Sequence, residues 1–305
     1  MYSMKRKLMF FINPISGTRN KKNVESIIRK KCIKNEFDFD VVYTNPEGKY
    51  SDIEHHLIDN QFTDIIIVGG DGTVNQLTNT FKHLHLPFGI IPMGSGNGLA
   101  FAASIPANFL KALKTIFIGN TIEVDAFMVN NHYSCMLSGV GLDAQVAFDF
   151  AQKSSRGLLT YTQQSIVNYF KAHPYLFEIN LPNFIFFTDA FFISIANSNQ
   201  FGNNFTIAPK ASLNDGLLDI VIVQKMHKSK LPFAILKQMK GDNLVEDIIN
   251  KVSKNNILYF QTPSITIHNT KLARLHIDGE PVETEETITA SIMPKAFKLI
   301  VPAHS

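Results

Sequence analysis

Ile65-Ile66-Ile67-Val68-Gly69-Gly70-Asp71-Gly72-Thr73-Val74-Asn75 is the stretch on which the reading of the sequence turns. Four apolar residues in a row, entered from Asp64, have the pattern of a short central strand of a parallel sheet, covered on both faces. The glycines directly after it permit positive φ and let backbone N–H groups approach an anion closely. A helix expected from Val74 to about His83 turns its positive end to the same place, which favours phosphate. In an open sheet, ligands sit at the carboxyl ends of the parallel strands, where this turn falls. Taken alone, the same residues also describe a tight strand–helix turn with Asp71 as a cap.

The surrounding chain repeats the pattern. Residues 8–12 read as a buried strand closed by Asn13-Pro14-Ile15-Ser16-Gly17, and residues 24–33 have helical apolar spacing. Residues 39–43 form the next strand, and a helix begins at Ser51, with Asp52 and Glu54 suiting the positive end of its dipole. After the Gly69–Thr73 turn comes an apolar strand over 88–91, then Gly94-Ser95-Gly96-Asn97-Gly98 and a further helix. Strand, turn and helix in repetition predict an α/β domain with a parallel sheet. Three Gly- and hydroxyl-rich turns at one edge of that sheet make a nucleotide cradle. No Gly-Lys-Ser/Thr, GxGxxG, HRD or DFG occurs, so neither a P-loop, a dinucleotide fingerprint nor a protein kinase is indicated.

From about Asp125 the grammar changes. A hairpin is expected around Asn130-Asn131, a helix over 161–172 and another over 231–239. Short strands are expected over 177–181, 189–197, 218–223, 257–261, 264–268, 274–277, 287–291 and 297–301, which suggests a β-sandwich. The fold class is therefore α/β plus β. The α/β domain covers residues 1–125, which 297–305 can join, and the sandwich covers 126–296, with an interdomain cleft expected.

At 305 residues, 45% hydrophobic and 18% charged, the chain is globular, and a net charge of +3 is too small to suggest nucleic-acid binding. Its basic residues cluster at Lys5-Arg6-Lys7, at Arg19, Lys21 and Lys22, and from Arg29 to Lys34. Solvated helix faces account for such clusters, as does attraction to ATP or an anionic membrane. Cys32 and Cys135 are isolated, and no signal core or bilayer-length apolar run is read, so a cytoplasmic chain with free thiols is expected.

Together, Asn13-Pro14-x-Ser16-Gly17, Gly69 through Asn75, and Gly94-Ser95-Gly96-Asn97 resemble the diacylglycerol kinase catalytic domain family, which includes bacterial lipid kinases and the sphingosine and ceramide kinases. The resemblance continues through Ser138-Gly139-Val140-Gly141-Leu142-Asp143-Ala144 and Arg156-Gly157-Leu158-Leu159-Thr160-Tyr161. It includes Asn197-Ser198 through Gly202, Ala208-Pro209 and Asp215-Gly216-Leu217-Leu218-Asp219, and ends at His276-Ile277-Asp278-Gly279-Glu280.

The resemblance implies a phosphofructokinase- and NAD kinase-like first domain and a β-sandwich second domain. It implies ATP bound by Asn13, Pro14, Ser16, Gly17, Thr18, Arg19, Thr44, Gly69, Gly70, Asp71, Gly72, Thr73, Asn75, Gly94, Ser95, Gly96 and Asn97. It implies a structural Mg²⁺ near Ser212, Asp215 and the backbone carbonyl of Leu217. Glu280 resembles the family's proposed general base. Asp71 matches a group that acts as a Mg²⁺ ligand through water or, in sphingosine kinases, is discussed as the base. Asp125 would complete an acidic patch near the metal. The implied partner is a lipid at a membrane surface, met transiently and peripherally, and a homodimer through the sandwich domain is a further implication.

Gly98 departs from the family pattern, because diacylglycerol kinases usually carry Asp there, and the string Gly94–Ala100 is closer to the sphingosine and ceramide kinase version. Gln76 also replaces a frequent Glu. The acceptor lipid is thus left open between diacylglycerol and a sphingoid base. Phosphorylation of a soluble hydroxyl, as by NAD kinase, and a non-catalytic nucleotide-binding regulator are the competing readings.

Overall fold

The computed structural model describes residues 5–16, 23–45, 47–151, 173–200, 206–240 and 256–303. The chain divides into two compact units, Met1–Val124 with Lys295–Ser305, and Asp125–Pro294.

The first unit carries β1 (Lys7–Ile12), α1 (Val24–Lys34), β2 (Asp38–Tyr43), α2 (Ser51–Asp59), β3 (Asp64–Gly69), α3 (Asp71–Phe81), β4 (Phe88–Pro92), α4 (Gly98–Ala102) and α5 (Phe109–Ile118). Its strands pair in parallel in the order β2-β1-β3-β4. Every residue of β3 and β4 is buried, as their unbroken apolar runs require in a sheet covered on both faces. Helix α3 starts at Asp71, three residues earlier than its apolar spacing suggests, so Asp71-Gly72-Thr73 is helical first turn rather than loop. Helix α5 has no counterpart among the sequence expectations. Its buried face is Ala112, Leu113, Thr115 and Ile116; Asn108 caps its start by accepting from the Lys111 N–H and Gly119 ends it at φ 80°. Beneath it, Arg6 binds the buried Asp64 carboxylate through Nε and Nη2 and donates through Nη1 to the Ile116 and Phe117 carbonyls.

The second unit is strand-rich: β5 (Thr121–Val129) leads into it, followed by β6 (His132–Ser134), β7 (Leu137–Gly141), α6 (Leu142–Ala151), β8 (Tyr175–Leu181), β9 (Phe184–Ala196) and β10 (Leu218–Gln224). Then come α7 (Leu231–Met239), β11 (Ile257–Thr262), β12 (Ser264–His268), β13 (Leu275–Ile277), β14 (Glu280–Val282) and β15 (Thr287–Ile300). Strand β9 is the hub, pairing antiparallel with β8 through its first half and with β7 and β10 through its second. Alternate residues of these strands, among them Phe127, Phe177, Ile193, Ile220, Ile265 and Ile288, meet in one apolar core, the pattern of a β-sandwich-like domain. Phe191 and Phe192 are also buried.

Two expected strands, 287–291 and 297–301, are one strand, β15. The Pro294-Lys295 pair, with Lys295 at φ 52°, kinks it without ending it. Its first part pairs with β12, and Leu299 pairs in parallel with Phe88 of β4, adding a fifth strand to the first unit's sheet. The end of the Ser138–Ala144 motif opens a helix, α6, that the sequence expectations do not include. The helix expected over 161–172 and the Arg156-Gly157 segment lie outside the described residues. Among the described residues no helix is long and apolar enough to cross a membrane.

Candidate active site

The parallel register brings the turns of the first unit into one row. Ile12 pairs with Val68 and Gly69 with Pro92, so β1, β3 and β4 end at the same level. Backbone bonds continue the alignment past the strands: the Asn13 N–H donates to the Val68 carbonyl at 3.0 Å, Met93 to Gly69 at 2.8 Å, and Thr44 to Ile12 at 2.9 Å.

The glycines serve a purpose other than the one their positions suggest. Gly69, Gly70, Gly72, Gly94 and Gly96 all lie outside the positive-φ region. Gly70 and Gly94 instead pack backbone on backbone, and a Cβ on Gly94 would lie 2.5 Å from the Gly70 Cα. A Cβ on Gly69 would lie 2.7 Å from the Thr73 side chain. The left-handed residue is Asn97, at φ 59°, whose side chain accepts from the Gly94 N–H at 2.8 Å and donates to the Gly94 carbonyl at 2.9 Å. Around Gly72, by contrast, an added Cβ would meet nothing within 4 Å.

Asp71 ties two turns together. Its Oδ2 accepts from the Asn97 N–H at 2.6 Å and its Oδ1 from the Gly98 N–H at 2.7 Å. It therefore caps α4, not the helix that it begins. Gly98 takes part through its backbone alone, so the missing side chain at that position leaves this brace intact. From the first turn, Asn13 Nδ2 donates to Thr73 Oγ1 at 2.7 Å, and Asn13 Oδ1 accepts from the Ile15 N–H at 3.0 Å. Ser16 Oγ donates to the Asn13 carbonyl, Pro14 and Ser95 are exposed, and Asn75 lies one turn along α3. Gly17, Thr18 and Arg19 lie outside the described residues.

In the second unit, Asp278-Gly279 is the two-residue turn between β13 and β14, with φ 48° and 86°, as a tight hairpin requires. The Asp278 carboxylate accepts from the Ser134 hydroxyl at 2.6 Å and the Leu137 N–H at 2.9 Å, and more loosely from the Cys135 and Met136 N–H groups. The turn is thus fastened to the 134–137 segment, and Glu280, the first residue of β14, is exposed.

The other acidic candidates separate between the units. Asp125 is buried and belongs with the 212–217 turn: its N–H donates to the Leu213 carbonyl, and its Oδ2 accepts from the Gly216 N–H at 2.7 Å. Asn197 Nδ2 donates to the Asp125 carbonyl. Asp71 lies in the first unit. On the turn itself, Ser212 Oγ bonds Asn214 Oδ1, and Asp215 Oδ1 accepts from the Leu217 N–H. Behind the turn, Asp219 accepts from the Tyr259 hydroxyl at 2.7 Å. Burial pushes the Asp219 carboxyl up to about 6 and outweighs the Tyr259 and Gln261 bonds, with the Asp215 charge adding to the rise. Among the described residues no three His, Cys, Asp or Glu side chains gather as a metal cluster. Ser134, which fastens Asp278, and the buried His276 carried no sequence signal as site residues.

The family model for the diacylglycerol kinase catalytic domain matches residues 7–129. That for the YegS C-terminal NAD kinase beta sandwich-like domain matches residues 137–301. The chain is 25% identical over 282 residues to a diacylglycerol kinase of Bacillus subtilis, covering 91% of this chain and 90% of that protein. It is 28% identical over 246 residues to a probable lipid kinase YegS of Salmonella typhimurium, covering 78% of each. A putative diacylglycerol kinase from Bacillus anthracis shares the fold with a TM-score of 0.76 at 21% identity over 97% of both chains. Matched by these models along nearly its whole length, the chain belongs to the family of diacylglycerol kinases and YegS-like lipid kinases.

Proposed function

We propose that the chain transfers the γ-phosphate of ATP to the hydroxyl of a membrane lipid. The observation that carries this reading is the row of turns ending β1, β3 and β4, drawn together by the Gly70–Gly94 contact and the Asp71 brace. Backbone N–H groups in the first turn of α3, with open space around Gly72, suit the phosphates of a nucleotide. In the transfer, the Glu280 carboxylate takes the proton of the acceptor alcohol. The alcohol oxygen forms a bond to the γ-phosphorus, the bond to the β–γ bridging oxygen breaks, and ADP leaves. Glu280 suits the part of base because it is exposed, whereas both Asp71 oxygens already accept backbone N–H groups.

Magnesium would be held by the Ser212 hydroxyl, the Asp215 carboxylate and the Leu217 carbonyl. This all-oxygen donor set suits a hard cation, and the excess negative charge at Asp215 and Asp219 adds to the fit. When bound, the ion neutralises charge there and rigidifies the turn. Since the folded Asp219 value lies above the ordinary 3.8, the folded chain holds that proton more tightly. Stability contributed by this group is complete below about pH 4 and is lost as pH rises to about 6, by no more than about 3 kcal/mol. Chemical denaturation from pH 4 to 7 should show this decline, and Asp219→Asn should flatten it. At pH 7, millimolar Mg²⁺ should raise Tm in the wild type and leave it unchanged in Asp215→Asn.

The reading of function is tested by incubating the protein with labelled ATP, Mg²⁺ and micelles of diacylglycerol, sphingosine or ceramide, with NAD as a soluble acceptor. Label in one of the lipids is the expected result. Label in NAD alone, or nucleotide binding with no transfer, would overturn it.

A further inference from the structure

We propose that His276, with the Asp143 carboxylate beside its ring, is a positioning residue for the Glu280 carboxylate; this rests on the reading of Glu280 as the base. His276 lies on β13 with no exposed surface. Its Nδ1 accepts from the Gly279 N–H at 3.2 Å, the residue directly before Glu280. With Nδ1 as acceptor, the ring proton sits on Nε2, which lies 3.5 Å from Asp143 Oδ2. Asp143 is anchored in turn at the start of α6, where its Oδ1 accepts from the Ala144 N–H at 2.8 Å.

The neighbouring strand is cut to fit this pair. His276 is in register with Gly139 of β7. A Cβ on Gly139 would lie 2.7 Å from His276 Nε2 and would overlap Asp143 Oδ2. Gly139 is therefore the opening in which the Asp143 carboxylate lies beside the ring.

The hairpin thus has two separate anchors. The Asp278 carboxylate is bound by residues 134–137, and the Gly279 N–H is bound by His276. A Cβ on Gly279, at φ 86°, would meet nothing within 4 Å, so no close packing surrounds its Cα. With the imidazole bond removed, the Asp278–Gly279 peptide directly before Glu280 can rotate while the Asp278 carboxylate stays bound. General-base catalysis is sensitive to displacements of this size.

The test is a double-mutant cycle between His276 and Glu280, read as kcat and KM for ATP with the labelled-lipid assay. His276→Phe keeps the ring bulk and removes the acceptor. It is expected to lower kcat about tenfold or more with KM for ATP unchanged. His276→Asn, whose amide oxygen replaces Nδ1, is expected to recover most of that loss. In a Glu280→Gln background, both changes are expected to alter the residual rate by less than about twofold. An equal loss in that background, or wild-type kcat in both single variants, would overturn the positioning role while leaving Glu280 as the base. Wild-type turnover in Glu280→Gln itself would instead remove the base assignment. Where His276→Phe does not fold, Asp143→Asn supplies the same cycle, with an expected loss of about fivefold that disappears in the Glu280→Gln background.

Discussion

Glu280→Gln lowers kcat at least about a hundredfold, leaves KM for ATP within about twofold of wild type, and leaves Tm unchanged: this is the largest effect expected of any single substitution here. The amide is the same size as the carboxylate and cannot take a proton. Glu280 is exposed at the start of β14, and the turn before it is fastened through Asp278 and Gly279, so the replacement removes little that supports the fold. Steady-state kinetics with the labelled lipid, run beside a thermal melt, separate loss of chemistry from loss of structure. Wild-type turnover with an unchanged melt would exclude Glu280 as the base.

Asp71→Asn has a different expected signature. The carboxylate accepts the N–H groups of Asn97 and Gly98, and an amide in its place turns an –NH₂ toward one of them. An unsatisfied N–H costs about 2 kcal/mol, equivalent to a fall in Tm of roughly 5 °C for a unit of this size. As the turns after β3 and β4 loosen, KM for ATP should rise about tenfold and kcat/KM should fall by about the same factor. A loss of kcat with Tm and KM unchanged would instead mark Asp71 as a group acting on the reacting atoms. The two variants together therefore distinguish the roles of the two acidic candidates.

Much of the fold was legible because local chemistry and tertiary context agree. The apolar run at 65–68 is a buried strand, and Ser51 and Leu231 begin helices where their patterns place them. Legibility failed where context overrides pattern. Pro294 reads as a break, although β15 continues through it. In the site, residue identity pointed to the Gly69–Thr73 turn but misjudged what its glycines do, because close backbone approach depends on a second strand that is distant in sequence. Asp71 was recognisable as a cap, but the helix that it caps begins twenty-seven residues away, at Gly98. The bonds from Ser134 to Asp278 and from Gly279 to His276 follow from strand pairing, which a single sequence does not display.

The kinked strand β15 also bears on the order in which the protein is made. Leu299 pairs with Phe88, the Phe297 and Phe88 rings meet edge to face at 5.7 Å, and the Val301 N–H donates to the Asn120 carbonyl. A ribosome emitting this chain releases four strands of the first unit's sheet, then some 170 residues of the second unit, before the segment that covers β4 appears. Through that interval the β4 edge lacks its native neighbour and is exposed to mispairing. Completion of the α/β unit therefore waits on synthesis of the second unit, although almost all of its own residues are made before that unit.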